Sequence, residues 1–139
     1  VTDPRDVVES IPIPEHGERP FRRIYIAGPL WPWDAACPRA ARERNIAQAV
    51  EAFFALSRKG WNCYCPHFSA IYGHEIEWWS QYEVVLPRDF DWLSVCDALL
   101  LLPGWESSRG TRKEWLVAQH WDLTVYYSVE EVPDLTVNE

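Results

Sequence analysis

Apolar and polar positions in this chain change period several times, and each change marks an element. Arg23-Ile-Tyr-Ile-Ala27 is a short run of β-branched and aromatic residues stopped by Gly28-Pro29, which predicts a strand. Over residues 40–59, Ile46, Ala49, Val50, Phe53 and Phe54 recur at steps of three and four, the period of an amphipathic helix, and Gly60 closes it. Trp61-Asn-Cys-Tyr-Cys65 predicts a second strand ended by Pro66. No period dominates residues 67–86, although Trp78, Trp79, Tyr82 and Val85 permit a helix. Residues 87–96 predict a helix with Pro87 at its start and Phe90 and Leu93 on one face. Ala98-Leu-Leu-Leu-Leu102 is apolar throughout, as a strand buried on both faces requires, and Pro103-Gly104 ends it. A loop over 105–110 leads to a helix over 111–120 and a last strand over 123–127.

Strands alternating with helices predict an α/β fold, a doubly wound three-layer sandwich around a mostly parallel sheet of about five strands, Rossmann- or flavodoxin-like. In such sheets ligands bind at the carboxyl ends of the strands, which directs attention to the loops after Ala27, Cys65 and Leu102. Residues 1–20 carry Pro4, Pro12, Pro14 and Pro20 among charges with no sustained period, and read as a proline-rich arm before a single domain over 21–139. A chain of 139 residues supports one hydrophobic core.

Composition narrows the function classes. The formal net charge of −8 argues against a nucleic-acid polymer as partner, since such binding neutralises many phosphates with Lys and Arg, but leaves a single small phosphorylated ligand open. No apolar run approaches the roughly 18 residues of a membrane span, and no secretory signal pattern is visible. A cytoplasmic protein without membrane association is expected. Cys63-x-Cys65-x-His67 lacks the second ligand pair of a zinc site, so no metal is expected.

Chemistry gathers in the loops. Gly104-Trp-Glu-Ser-Ser-Arg-Gly110 leads into a helix whose predicted first turn holds Glu114, where unpaired N–H groups favour a carboxylate or a bound anion. An ionised carboxylate there is a usable nucleophile toward a sugar C1′. Thr111-x-x-Glu114 is equally a capping box that merely closes the helix start. Asp89 and Asp91 fall in the predicted first turn after Pro87, as a general acid or as ordinary dipole complements. Gly28-Pro29 is too short for a dinucleotide fingerprint. Trp31, Trp33, Trp78, Trp79 and Trp105 offer stacking surfaces or plain packing, and His67 follows the second strand as a cleft residue or an ordinary hydrogen-bonded histidine.

Taken in order, Tyr25-Ile-Ala-Gly-Pro29, the Asn45-containing helix with Gly60, Asp89-Phe-Asp-Trp-Leu93 before Cys96-Asp97, and Ser108-Arg-Gly-Thr-Arg-Lys-Glu114 resemble the nucleoside 2-deoxyribosyltransferase superfamily, which includes 2′-deoxynucleoside 5′-monophosphate N-glycosidases. The likeness spans about residues 23–127 and is nearest to its uncharacterised bacterial and phage members. It implies cleavage of an N-glycosidic bond with retention, Glu114 as nucleophile and Asp89, chosen over Asp91 by its spacing from Asp97, as the catalytic aspartate. It implies substrate contacts from Gly28, Pro29, Asn45, His67, Trp105, Ser108 and Gly110, no cofactor, and a homodimer or larger homo-oligomer whose interface the aromatics around Trp78, Trp79 and Trp121 would suit. Serine rather than aspartate at 108 implies a nucleoside 5′-monophosphate as substrate. A transferase acting on free nucleosides, a silent nucleotide-binding module and a partner-binding protein are the alternatives.

Overall fold

The computed structural model describes residues 3–31, 36–73, 78 and 81–137. Four parallel strands, β1 (Arg23–Ala27), β2 (Asn62–Tyr64), β3 (Ala98–Leu101) and β4 (Thr124–Tyr126), form one sheet in the order β2-β1-β3-β4. β1 pairs with both β2 and β3, and β3 with β4. The helices are α1 (Pro38–Arg58), α2 (His67–Gly73), α3 (Tyr82–Leu93) and α4 (Arg109–His120). Among the described residues the sheet therefore has four strands where about five were expected, and none of the helices is long and apolar enough to cross a membrane.

The sheet is covered on both faces, which explains why β3 is apolar throughout and why β1 is fully buried after Arg23. Ile24, Ile26, Leu100 and Leu102 pack against Ala49, Ala52 and Leu56 of α1 and against Val132. On the other face Tyr25, Ala27, Leu99 and Leu101 meet Leu93 of α3 and Ala118 of α4. Leucines buried this completely each contribute about 1.5–3 kcal/mol. Helix α1 ends in a Schellman motif: Gly60 is left-handed at φ 94°, its N–H donates to Ser57 O at 3.0 Å, and Trp61 N donates to Leu56 O at 3.2 Å.

Winding reverses between β1 and β3, so the ligand crevice of this architecture lies outside their carboxyl ends. Gly28 sits there for a steric reason, because a Cβ on it would lie 2.7 Å from Leu102 Cβ. Leu102 N donates to Ala27 O at 2.8 Å across the same gap.

Three expectations are corrected. Residues 4–10 of the arm form a 3-10 helix, Pro4–Ser10, capped by Asp3, which accepts from Arg5 N. Within residues 67–86, α2 forms at once after Pro66, and α3 starts at Tyr82, five residues before Pro87, so that proline lies inside the helix. Arg88 Nη1 donates to Val84 O at 2.8 Å in the turn that holds the proline. Finally, α4 starts at Arg109 with Ser108 as its cap, two residues ahead of the expected start, which carries Glu114 out of the first turn. Trp33 and Trp79 lie outside the described residues.

Candidate functional site

The central strand supplies the first component. Tyr25 is wholly buried in β1 and points to the face covered by α3 and α4. A phenol in such a place requires a hydrogen-bond partner. Its hydroxyl donates to Glu114 Oε2. Burial, together with the adjacent Glu114 and Asp89 charges, pushes the Tyr25 hydroxyl well above its usual range, so it stays protonated and acts as the donor.

Glu114 belongs to the buried stripe of α4 with Gly110, Thr111 and Ala118. This overturns the capping-box reading. Ser108 Oγ accepts from Thr111 N at 3.3 Å and from Thr111 Oγ1 at 2.9 Å, so those two residues close the helix start and leave the Glu114 carboxyl to Tyr25. Asp89 comes from α3. It is buried whereas Asp91 is exposed, which separates two carboxyls that local chemistry left equivalent and that only the spacing of the resemblance had told apart. Both lie near the end of α3 rather than in its first turn, so the dipole explanation no longer applies to either.

Burial pushes the Asp89 carboxyl up to about 7. Burial also pushes Glu114 up to about 8; the Tyr25 hydrogen bond favours its ionised form and the neighbouring Asp89 charge opposes it. Neither carboxyl is in an ion pair among the described residues. Two acids held this way titrate as a unit and share one proton near neutrality. Tyr64, whose ring centroid is 5.4 Å from that of Tyr25, also faces both charges, and burial raises its hydroxyl to about 12. Trp92 stacks on Tyr64 with ring centroids 5.1 Å apart.

The folded state holds the protons of Asp89 and Glu114 more tightly than the unfolded chain does, with folded values near 7 and 8 against 3.8 and 4.5. Their contribution to stability is therefore full below about pH 4 and is lost as pH rises toward 8, on the order of a few kcal/mol for each group. Urea unfolding from pH 5 to 8.5 is expected to show stability falling with pH, and the double variant Asp89→Asn, Glu114→Gln is expected to lose most of that slope. A slope unchanged in the double variant would assign the effect to other groups.

The other expected site residues have partners of their own among the described residues. His67 is buried on the α1 side; Nε2 donates to Pro29 O at 3.1 Å, so Nδ1 is left to accept from the Cys65 thiol at 3.6 Å. Burial holds this imidazole below its usual range, in the neutral form that both bonds require. Asn45 Nδ2 donates to Leu30 O at 3.0 Å and fixes the same loop. Pro29 packs near Gly104, joining the loops after β1 and β3. Trp105 lies against Trp115 and Tyr127, with centroids 5.6 Å and 6.1 Å apart. Gly110 leaves room for Tyr82, whose Cε1 would be 3.1 Å from a Cβ there. Among the described residues no group of three or more His, Cys, Asp or Glu side chains is placed to hold a metal ion.

Sequence reasoning gave no role to Tyr25 or Tyr64. A tyrosine in a strand buried on both faces was the available signal, because its hydroxyl had to find a partner in the covering helices.

A family model described as a domain of unknown function (DUF4406) matches residues 22–127. Comparison with curated proteins and with solved structures gives no match.

Proposed function

The chain belongs to the DUF4406 family, whose description names no chemistry, and from its own residues we propose that it cleaves the N-glycosidic bond of a nucleoside 5′-monophosphate through a glycosyl-enzyme on Glu114. One observation carries this reading: two buried carboxyls, Glu114 and Asp89, come from different helices to one face of the sheet, with the Tyr25 hydroxyl on Glu114. A fold gains nothing from burying two acids without a cation. Sites that need shifted acids are where such an arrangement is retained.

The chemistry follows from a pair that carries one proton. With the proton on Asp89 and the charge on Glu114, the form in which Tyr25 donates to an ionised carboxylate, Glu114 attacks C1′ as the bond from C1′ to the base nitrogen breaks. With Asp89 near 7 and Glu114 near 8 this is the minor of the two singly protonated forms, and the reaction draws on it. The electron pair leaves with the base, and Asp89 supplies its proton. Water then attacks C1′, Asp89 takes up the water proton, and Glu114 is released with retention at C1′. A second base in place of water would give transfer instead of hydrolysis. No cofactor is needed for either step. A soluble cytoplasmic enzyme is part of this reading, and the four free cysteines suit a reducing compartment.

The test is base release from a panel of nucleosides and nucleoside 5′-monophosphates, followed by chromatography. Release from none of them would leave a silent binding module. Preference for the monophosphate rests on Ser108. Its oxygen accepts both bonds from Thr111, so its own proton remains available to a phosphate at the start of α4. Ser108→Asp keeps a good helix cap but places a negative charge there. Its use of the monophosphate is expected to fall at least about tenfold, as like-charge repulsion of a few kcal/mol implies, with free nucleoside unaffected. Equal losses on both substrates would remove the phosphate assignment.

A further inference from the structure

Two faces of this molecule are unpartnered and complementary. Residues 4–22 are all exposed. The 3-10 helix Pro4–Ser10 buries none of its own residues, and the aliphatic side chains of Val7, Val8, Ile11 and Ile13 are 49%, 57%, 61% and 96% exposed. Every hydrogen bond described for residues 3–18 ends on another residue of the arm. The arm joins the body further along, where Arg19 donates to Val95 O and Asp97 Oδ2, both at 3.0 Å, and Arg22 lies over the Trp61 ring. A 3-10 run of seven residues is long for its type and gains little from its own hydrogen bonds, so a covering surface is what would hold it.

The second face is the outer side of α4. A groove of about 620 Å³ is lined there by Trp105, Trp115 and Leu116 together with Arg109, Arg112 and Lys113. Among the described residues none of these three cations is in an ion pair, and Glu106 is the one carboxylate among the lining side chains. In a chain of net charge −8 this is a local excess of positive charge beside apolar surface. The arm offers the reverse, aliphatic residues beside Asp6 and Glu9, while Asp3 is already engaged by Arg5. Spacing matches as well. Asp6 and Glu9 are one 3-10 turn apart, about 6 Å along the axis, and Arg109 is about 4.5–6 Å along α4 from Arg112 and Lys113.

We infer that the arm of one copy lies in the α4 groove of a second copy, with Val7, Val8 and Ile11 against Trp105, Trp115 and Leu116, and with Asp6 and Glu9 facing Arg109, Arg112 and Lys113. Reciprocal exchange about a two-fold axis makes the contact twice and leaves no arm uncovered. The contact does not involve the carboxyl pair, since Glu114 lies on the buried side of α4.

Sedimentation of the full chain tests it with two surface variants, Asp6→Lys with Glu9→Lys on the arm and Arg109→Glu with Arg112→Glu in the groove. The wild type is expected to be a dimer whose dissociation constant rises with salt. Each variant alone is expected to dissociate at least about tenfold more readily, because each sets like charges together. An equimolar mixture of the two is expected to recover the dimer, since every contact in the mixed pair again joins opposite charges. A monomeric wild type, dimers that survive both reversals, or a mixture that stays monomeric would each overturn the exchange.

Discussion

Glu114→Gln is expected to reduce base release by at least about three orders of magnitude, because an amide oxygen cannot replace an attacking carboxylate and the covalent route closes with it. The same variant is expected to remain folded. Gln keeps the shape of Glu, its amide oxygen still accepts from the Tyr25 hydroxyl, and position 114 plays no part in closing the start of α4, which Ser108 and Thr111 do. The amide also brings N–H groups into a buried place, at a penalty of about 1–3 kcal/mol where they find no acceptor. Against this stands the removal of a group that must be buried as a charge once pH exceeds about 8. Stability of the variant relative to the wild type is therefore expected to improve from pH 5 to pH 8.5, a trend that urea melts at the two pH values would read. Base release within tenfold of the wild type would remove Glu114 from the reaction, while a flat stability difference would show that its carboxyl is not held protonated by burial.

The contrast between Glu114 as a cap and Glu114 as a buried acid shows where the sequence stops being decisive. Ser108 and Thr111 are both good capping residues three positions apart, and each is followed by a plausible helix. Local chemistry cannot choose between them. The choice is made by packing: starting at Arg109 lets Gly110, Thr111, Glu114 and Ala118 form one buried stripe, with Ala118 against β1 and β3. The same holds for α3. Pro87 reads as a helix start because proline is tolerated there at no loss of a hydrogen bond, yet the helix begins at Tyr82 and accommodates the proline inside it. That shift turned Asp89 from a first-turn residue into a buried one near the helix end.

The sheet was legible because its signals are redundant. β1 and β3 lie within their expected limits since each is a run of apolar residues ended by Gly-Pro or Pro-Gly, and nothing else buries both faces of so short a segment. Candidate site residues were legible unevenly. Glu114 and Asp89 are brought to the same face of the sheet, while Asn45 and His67 turn their polar atoms to Leu30 O and Pro29 O and hold the loop after β1. A side chain's partner 15 or 38 residues away has no signature in its local sequence.

Asp89→Asn is expected to lower base release about 10²- to 10⁴-fold, the range a positioned proton donor supplies. The loss should depend on the leaving group. A purine or pyrimidine departing from C1′ needs a proton on its nitrogen, whereas a leaving group that departs as a stable anion, such as 4-nitrophenolate on the same sugar, does not, so its rate should fall far less. The pH profile carries an independent sign. In the wild type, activity needs one proton on the pair, so it rises as the first proton is lost near pH 7 and declines as the second is lost near pH 8. Asparagine removes the donor and also the charge that raises Glu114, so the folded pKa of Glu114 moves down. Residual activity in the variant should then rise with pH on the titration of Glu114 alone, below about 8, and level off, with no alkaline decline. Folding should not obscure the result, because the neutral amide no longer has to be buried as a charge above pH 7. Equal losses on both leaving groups, or an alkaline limb that persists in the variant, would show that the proton reaches the base from another residue and would leave Asp89 as a positioning group beside Glu114.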